Sequence, residues 1–394
     1  MQHYTQSPIF SIAYLGEAGP RAHRVIYGGG GGSSKSGVGN AIIAAEVDAF
    51  GVVELCRLDT GAELCSFVCV GRKNTMLVSV FNDSFRLCKL RGLGPGSHGQ
   101  EQIVLASDTY VSDTKTIDPS INCCAVDGGG GSLVAVGGDD GVLRLWAVSD
   151  EEEGRFGCTL AKSCSPAHDA PITDCCFSES SHLVATASKD GTCRVWSIGT
   201  GAIMCKLLVR STMPSSQTDD CRSPHAAAKL IVRACKFVGD DVLVSVQSAA
   251  RGSAHAAKWT LAARDDDGGV TLTACLAASR RISRHPVSAA CLEHGLLAHG
   301  DTEGSIGFVR AEDLRQLGRV VQVHELPVTG LVLSRATNSM PSCAFSVSAD
   351  YKVALTPLIR TALETAVLYM SIFVVVLAVA LSALPGLVKK SYPR

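Results

Sequence analysis

Apolar residues in this chain mostly form short runs separated by turn residues, and helical spacing is rare before residue 360. Two stretches align with each other: INCCAVDGGGGSLVAVGGDDGVLRLWAV (121–148) and ITDCCFSESSHLVATASKDGTCRVWSI (172–198). Each has an apolar strand, a turn, a strand containing Leu-Val-Ala, an Asp-Gly pair and a third strand ending near Trp. Asp-Gly between apolar runs is a hairpin signal. Each stretch therefore predicts an antiparallel sheet.

The two stretches also share their spacing, since Trp146 lies six positions after Asp140 and Trp196 lies six positions after Asp190. Repeats of about 40–45 residues with four strands and such an ending are typical of WD-repeat propeller blades. Weaker copies bring the number of units to seven: 9–58, 62–90, 121–148, 172–198, 232–261, 287–310 and 328–358. Seven blades close a ring without long free edges. We predict an all-β, seven-bladed WD-repeat β-propeller over residues 1–360, with 91–119, 150–165 and 211–227 as polar connections.

An apolar segment follows the last unit. Thr365 to Val388 comprises 24 residues without a charged side chain. At about 1.5 Å per residue, a helix of this length crosses a hydrocarbon core of about 30 Å. We therefore predict one C-terminal transmembrane helix at 365–388 and a short lumenal tail at 389–394.

The orientation of this span rests on the N-terminus, which has no basic region followed by an apolar run and hence no secretory signal. We expect the propeller to be cytosolic. The positive-inside count points the other way, because Lys389, Lys390 and Arg394 follow the span. Translocating the large domain in front would need an export signal, so we give the missing signal more weight. The 17 cysteines are then expected to be free thiols in a reducing compartment.

The charge balance argues against nucleic acid as a partner. Lys and Arg number 36 against 37 Asp and Glu, for a formal net charge of −1. Proteins that grip a nucleic-acid backbone over a broad surface need a basic face. We expect no nucleic-acid partner.

A glycine-rich stretch, GGGGGSSKSGVGN, occupies residues 28–40 of the first unit. As a phosphate-binding P-loop it would need a second glycine where Ser34 stands before Lys35 and Ser36. That motif also requires an α/β unit, whereas the chain downstream predicts strands. A plain flexible connection is the second interpretation.

The third interpretation is a family resemblance. The glycine run, Lys-Ser-Gly-Val-Gly-Asn at 35–40, the seven units and the apolar tail together resemble the endoplasmic-reticulum exchange factor of the COPII coat GTPase. In animals this family is called prolactin regulatory element-binding protein. IVRACKFVGDDVLVSVQ, HGDTEGSIGFVR and AFSVSADYKVALTPL resemble its fifth, sixth and seventh blades, so the resemblance covers nearly the whole chain.

The resemblance implies a guanine-nucleotide exchange factor, which performs no covalent chemistry and is not an enzyme in that sense. It would activate a small GTPase of the Ras superfamily at the endoplasmic reticulum membrane and start vesicle budding for ER-to-Golgi transport. The protein would be a single-pass membrane protein with a cytosolic N-terminal domain. Two alternatives stay open: a membrane-anchored WD-repeat scaffold without exchange activity, and a P-loop nucleotide hydrolase.

The resemblance also implies which residues act. The loop would insert at the nucleotide site of the GTPase, with Gly37, Val38, Asn40 and Ile42 as the exchange loop. Val38 and Ile42 would serve as apolar contacts or as packing supports. A potassium ion is the implied cofactor, and its implied ligands are Gly28, Gly29, Gly30, Gly31, Gly32 and Asn40. Glycines let carbonyls converge on a cation, and oxygen ligands suit a hard ion. Gly39 stands where several relatives have Pro or another residue.

One group of polar residues invites an enzyme interpretation. His168, Ser188 and Asp190 have the residue types of a hydrolase triad. In propellers such positions form a structural hydrogen-bond network within a blade, and we predict that role here, with Trp196 as the fourth member. Asp301 and its acidic neighbours similarly predict a hairpin turn rather than a calcium loop.

Overall fold

The computed structural model describes residues 1–19, 22–32, 37–71, 74–94, 100–112, 119–128, 130–209, 230–266, 269–334 and 343–358. The predicted membrane span at 365–388 and the tail at 389–394 lie outside these residues. Within the described ranges, no helix is both long enough and apolar enough to cross a membrane.

The described residues form seven antiparallel sheets, which confirms the predicted seven-bladed, all-β propeller. The blades and the strands are numbered along the chain. Within each blade the strands are given below from the centre of the ring outward. The strands of blades 1 to 3 are β2 (Ile9–Gly19), β3 (Ala22–Gly29), β4 (Asn40–Val47) and β5 (Val52–Gly61); β6 (Cys65–Gly71), β7 (Met76–Phe81), β8 (Ser84–Arg91), β9 (Gln102–Leu105) and β10 (Tyr110–Val111); and β11 (Ile121–Val126), β12 (Leu133–Gly138), β13 (Leu143–Asp150) and β14 (Phe156–Ser163).

The remaining blades follow the same order. Blades 4 to 7 consist of β15 (Ile172–Phe177), β16 (Leu183–Ser188), β17 (Thr192–Ser197) and β18 (Ile203–Leu208); β19 (Leu230–Val238), β20 (Val242–Ala249), β21 (Ala254–Asp266) and β22 (Gly269–Ser283); β23 (Val287–Glu293), β24 (Leu296–Asp301), β25 (Ile306–Arg310) and β26 (Gln316–Val320); and β27 (Val328–Leu333), β28 (Cys343–Ser348), β29 (Lys352–Pro357) and β1 (Gln2–Tyr4). A short 3₁₀ helix spans Glu152–Gly154.

The ring is closed at two levels. At the centre, the first strand of every blade packs against the first strand of the next, and β27 of blade 7 packs against β2 of blade 1. At the outside, β1 is the fourth strand of blade 7 and pairs with β29, with Gln2 opposite Ala354 and Tyr4 opposite Lys352. Closure leaves no long unpaired sheet edge at the junction.

The hydrophobic core is divided among the seven junctions between neighbouring blades, with one cluster of buried side chains at each. Successive side chains of a strand point to opposite faces of its sheet. In β4, for example, Ile42 and Ala44 pack toward blade 2, whereas Ala41 and Ile43 pack toward blade 7. A sheet covered on both faces has nearly continuous apolar strands, which is why the repeats were readable in the sequence.

The outermost strands differ from the sequence prediction. The segments 91–119 and 150–165 were predicted as polar connections, but they contain β9, β10 and β14. These strands are partly exposed, so they lack the apolar pattern of the inner strands. Their positions follow from pairing with β8 and β13.

Every first strand carries a β-bulge at the same position, where one residue is skipped in the pairing with the second strand. The seven skipped residues are Phe10, Ser66, Asn122, Thr173, Arg233, Ser288 and Thr329. A bulge leaves its extra residue outside the ladder. In four junctions its side chain is used to bond the next blade. Asn122, Thr173, Ser288 and Thr329 donate to the carbonyls of Ile172, Val232, Val328 and Ile9, at 3.0, 2.6, 2.7 and 2.7 Å.

Candidate functional site

The connection between β3 and β4 is the longest of its kind. Consecutive strands are antiparallel, so the second-to-third connections and the blade-to-blade connections lie on one face of the ring, called here the upper face. Six blades make the second-to-third connection with two to four residues, whereas blade 1 uses residues 30–39. We call these residues the blade-1 loop. The glycine-rich stretch thus lies at a connection of the upper face.

Asn40 holds the base of the blade-1 loop. It is the first residue of β4 and is buried. Its Oδ1 accepts a hydrogen bond from the backbone nitrogen of Gly32 at 2.9 Å, and its Nδ2 donates to the carbonyls of Gly32 and Gly61, each at 3.0 Å. One amide therefore joins the start of the loop, its end and the last residue of β5. We call this arrangement the Asn40 latch.

The first glycines of the run are required by close approaches in the sheet. Gly28 and Gly29 belong to β3 and lie between β2 and β4. A Cβ atom at Gly28 would lie 2.8 Å from the carbonyl oxygen of Cys65, and one at Gly29 would meet the carbonyl oxygen of Pro8. Gly30 has a φ of +143°, and a Cβ there would collide with the side chain of Asn40. This steric role was not predicted from the sequence.

The other predicted loop residues fall into two environments. Gly37 and Gly39 are exposed and Val38 is half-buried, so these residues are accessible on the upper face. Ile42 is fully buried among the side chains between blades 1 and 2. Of the two roles predicted for Ile42, its position fits packing support. Gly31 and Gly32 are half-buried at the start of the loop, and Gly32 has a φ of +70°.

The oxygens nearest the latch are already hydrogen-bonded. Nδ2 of Asn40 lies against the carbonyls of Gly32 and Gly61, and Oδ1 faces a backbone N–H. The side chain of Asn40 is thus used for hydrogen bonds that hold the base of the loop. In the described parts of the chain, no group of three or more His, Cys, Asp or Glu side chains could hold a metal ion.

A small cavity lies beside the base of the loop, between blades 1 and 2. Its volume is about 120 Å³, and its lining consists of Leu58, Asp59, Thr60, Ser79, Phe81, Arg86, Cys88 and Leu105. Arg86 forms a 2.6 Å ion pair with Glu63 and lies over the ring of Phe81. Pockets for small molecules usually exceed about 300 Å³, so this cavity is too small for a nucleotide.

The polar residues of blade 4 form a hydrogen-bond chain. Nδ1 of His168 lies 2.9 Å from Asp190, and Nε2 lies 2.8 Å from Oγ1 of Thr186. Trp196 donates to the same Thr186 oxygen at 2.9 Å. Because the Asp190 carboxylate can only accept, a neutral His168 donates to it from Nδ1, and its Nε2 accepts from the hydroxyl of Thr186. The network predicted for this blade is therefore present, but Thr186 bridges it in place of Ser188, whose hydroxyl donates to the carbonyl of Ala170.

The electrostatics of this chain suit a structural role. Burial lowers the pKa of His168, although Asp190 opposes the shift, so the imidazole is neutral near pH 7. Burial works against the ionised form of Asp190, but hydrogen bonds from His168 and Thr192 outweigh it and hold the pKa of this carboxyl below its usual value. With both partners saturated inside the blade, this group fits no hydrolase triad.

Blade 7 contains a second network of this kind, which the sequence analysis missed. His324 lies 3.1 Å from Asp350 and 2.8 Å from Oγ of Ser346. Thr356 stands where blade 4 has Trp196, as the strand pairing shows. The signal was available, since Asp350 follows Ser346 as Asp190 follows Thr186.

Blades 5 and 3 retain the tryptophan without the histidine network. In blade 5, Trp259 donates to Oγ of Ser245 at 2.9 Å. In blade 3, Val136 occupies the position of Thr186, and Nε1 of Trp146 is buried with no hydrogen-bond partner within the described ranges. Two repeats that align closely in sequence thus differ at the residue that bridges the network.

Asp301 closes a turn in blade 6, as predicted. It is fully buried, and its Oδ1 accepts from the backbone nitrogens of Glu303 and Ser305 at 3.1 and 2.9 Å. Its Oδ2 accepts from the hydroxyl of Ser283 and from Arg319. The carboxylate is thus occupied by protein donors.

The closed ring of seven blades, with a histidine–aspartate network in blades 4 and 7, defines a β-propeller that contains WD repeats. Residues 113–147 and 159–197 match the family model described as WD domain, G-beta repeat. A segment of 101 residues is 27% identical to Protein ROOT INITIATION DEFECTIVE 3 of Arabidopsis thaliana. It covers 24% of this chain and 23% of that protein. Propellers of this kind typically bind protein partners. The resemblance to the exchange-factor family is not tested by these matches.

Proposed function

We propose that this protein is the guanine-nucleotide exchange factor of a small coat GTPase at the endoplasmic reticulum membrane, and that it acts through the blade-1 loop. The Asn40 latch is the observation that carries this proposal. Hydrogen bonds between Gly32 and Asn40 hold the two ends of the loop together before it meets a partner. Such preorganisation lowers the entropy lost on binding.

Exchange requires no proton transfer by the loop. Its described residues are Gly30–Gly32 and 37–39, which bear no titratable side chains. An exchange factor needs only to bind the nucleotide-free GTPase better than the nucleotide-bound form. The loop would do so by occupying space at the phosphate and magnesium contacts that hold the nucleotide. Val38 would supply an apolar contact, and Ile42 would hold β4 in place from the core.

The predicted membrane span gives the reaction its location. With residues 365–388 in the endoplasmic reticulum membrane, the propeller would release its activated GTPase next to the bilayer. Potassium would strengthen the loop by binding its carbonyl oxygens when present. Because the amide of Asn40 already donates to one of those oxygens, that of Gly32, no step of exchange is assigned to the ion.

The experiment measures release of a fluorescent GDP analogue from the purified coat GTPase, with the full-length protein in mild detergent. Asn40→Ala removes the latch, and we expect the exchange rate to fall by about tenfold or more, equivalent to about 1.4 kcal/mol. Asn122→Ala is the matched control, because it removes an amide that bonds Ile172 and Asp139 in another blade. We expect that variant to retain exchange within about twofold. Circular dichroism would verify that both variants are folded.

A third variant separates the latch from an ion site. Asn40→Asp keeps an acceptor for the nitrogen of Gly32 but places a carboxylate beside the carbonyls of Gly32 and Gly61. If the hydrogen-bonded latch suffices, exchange falls in potassium, sodium and lithium salts alike. If a potassium ion holds the loop, Asn40→Asp retains activity in potassium and loses it in the other salts.

The outcome that would overturn the proposal is a folded wild-type protein that does not accelerate nucleotide release. The membrane-anchored scaffold, which the propeller fold supports without the loop, would then replace it. A scaffold would keep its partners when residues 31–38 are shortened, and co-purification from membranes would measure this. Nucleotide binding by the protein alone would instead favour the P-loop hydrolase.

A further inference from the structure

Arg233 is one of the three bulge residues that do not bond the next blade, and it is the charged one among the seven. It is the bulge residue of β19 in blade 5, at the position where Thr173 and Ser288 of the neighbouring blades donate to the next blade. Arg233 makes no such bond. Its side chain is half-buried, and its Nε is buried without a hydrogen-bond partner among the residues that the structure describes. Burial alone lowers the pKa of this guanidinium, and no acidic group opposes the shift.

The charges of the inner strands leave Arg233 uncompensated. From the residue before each bulge to the fourth residue after it, the seven first strands contain only Asp174, Arg233 and Lys236 as charged residues. Asp174 forms an ion pair with Lys236, whose Nζ lies 2.7 Å from its Oδ2. It also accepts a hydrogen bond from the backbone nitrogen of Cys235 at 3.0 Å. Burial disfavours the charge of Lys236, but Asp174 outweighs burial and raises the pKa of this lysine. The single carboxylate in these stretches of the first strands is therefore occupied, and the stretches retain one unpaired positive charge.

An unpaired, partly buried charge is costly for a protein to keep. At four other junctions a hydroxyl or amide at this position ties the blade to the next one. The arginine instead leaves the carbonyl of Val287 without that bond. A guanidinium presents a planar fork of N–H donors that matches a carboxylate.

We propose that Arg233 binds the carboxylate of an Asp or Glu side chain of a protein partner at the upper rim of the central channel. The bulge lies near the start of the first strand, which begins at the upper face. The neighbouring hydroxyls of Thr173 and Ser288 already donate to backbone carbonyls, so the guanidinium is the donor that an incoming carboxylate would meet. A protein partner is favoured because propellers of this class typically bind proteins.

This site is separate from the blade-1 loop. It lies on blade 5, and it requires neither the Asn40 latch nor a GTPase. Its failure would leave the exchange proposal untouched, and the reverse also holds.

The test uses the full-length protein and a fluorescein-labelled hexaglutamate peptide, with hexaglutamine as the neutral probe, and follows fluorescence anisotropy. The formal net charge of the protein is −1, so overall electrostatics do not attract a polyanion. We expect Arg233→Gln to weaken hexaglutamate binding by about tenfold or more, as expected for a lost charge-assisted pair. The matched control is Arg284→Gln, because Arg284 is an exposed arginine in the connection from blade 5 to blade 6 on the same face. We expect that variant to bind within about twofold of wild type.

Stability provides a second readout. Since Arg233 has no partner to lose, Arg233→Gln should melt at or above the temperature of wild type, and hexaglutamate should raise the melting temperature of wild type only. An unfolded Arg233→Gln variant would show a structural role and overturn the proposal. Equal losses in both arginine variants would do the same, because they would indicate diffuse attraction. Inorganic phosphate that displaces the peptide at a lower concentration than free glutamate would overturn the choice of a carboxylate.

Discussion

The hydroxyl of Thr329 donates to the carbonyl of Ile9 at 2.7 Å, although the two residues are 320 positions apart in the chain. This bond joins the first strand of blade 7 to the first strand of blade 1. It repeats the bonds by which Asn122, Thr173 and Ser288 join their blades to the next. The closing junction is therefore built like the others at the centre, and β1 adds a strand at the outside.

Removing the Thr329 hydroxyl should weaken this junction. We expect Thr329→Val to lower the free energy of unfolding by about 1 kcal/mol, the usual net value of one such hydrogen bond. Urea denaturation would measure the change. Thr159→Val is the matched control, since Thr159 is exposed on the outermost strand of blade 3. Equal effects of the two variants would contradict the role assigned to Thr329.

The same substitution should affect two glycines of the blade-1 loop differently, reducing stability at Gly30 and leaving it nearly unchanged at Gly39. A Cβ at Gly30 would collide with Asn40, and its φ of +143° is unfavourable for alanine. We expect Gly30→Ala to reduce stability by about 1–3 kcal/mol and to slow nucleotide exchange. At Gly39 no atom lies within 4 Å of the added Cβ, so Gly39→Ala should be nearly neutral in stability. Thermal melts and the exchange assay would compare them, and a neutral Gly30→Ala would argue against the latch.

The bridging hydroxyl of blade 4 should matter for stability. Thr186→Val leaves Nε1 of Trp196 and Nε2 of His168 without partners inside the blade. We expect a loss of about 2–4 kcal/mol in the free energy of unfolding, because each unsatisfied buried group costs about 1–3 kcal/mol. The reciprocal variant is Val136→Thr in blade 3, where the new hydroxyl would accept from Trp146. Its effect should stay within about 1 kcal/mol, since the gained bond offsets the burial of a hydroxyl. Chemical denaturation of both variants would test this pair.

His299 should make the protein less stable as the pH falls. It is buried, both ring nitrogens lack hydrogen-bond partners in the described part of the chain, and burial lowers its pKa to about 4, against the opposing charge of Asp301. The unfolded chain, with a histidine pKa near about 6.5, therefore takes up the proton first as pH falls. The stability due to neutral His299 is complete above about pH 6.5 and is lost as the pH falls toward 4.

The measurement compares the free energy of unfolding at pH 7 and pH 5 in wild type and His299→Leu. We expect the wild type to lose about 2 kcal/mol more than the variant over this interval. Burial also lowers the pKa of His23, His168 and His324, but these residues are present in both proteins, so the difference isolates His299. Parallel pH profiles would show that His299 does not titrate as described.

Much of the fold was predictable from the sequence because each sheet is covered on both faces. Strands such as β4 and β12 read as apolar runs, and the Asp-Gly turns of blades 3 and 4 mark their hairpins. The glycine run was also visible as an unusual connection, and Asn40 was singled out at its end. The resemblance pointed to this loop without showing what Asn40 contacts.

Only the tertiary structure decided which residues meet across the ring. β1 pairs with a strand some 350 residues away, and β14 is partly exposed and lacks an apolar pattern. Thr186 and Ser188 lie on the same face of β16, so which of them bridges the blade-4 network depends on how far along the strand His168 and Trp196 reach, and they reach Thr186. Arg233 is one cation among many in the sequence. Its lack of a partner among the described residues follows from the ring, because Asp174, the one carboxylate in the matching stretches of the inner strands, pairs with Lys236.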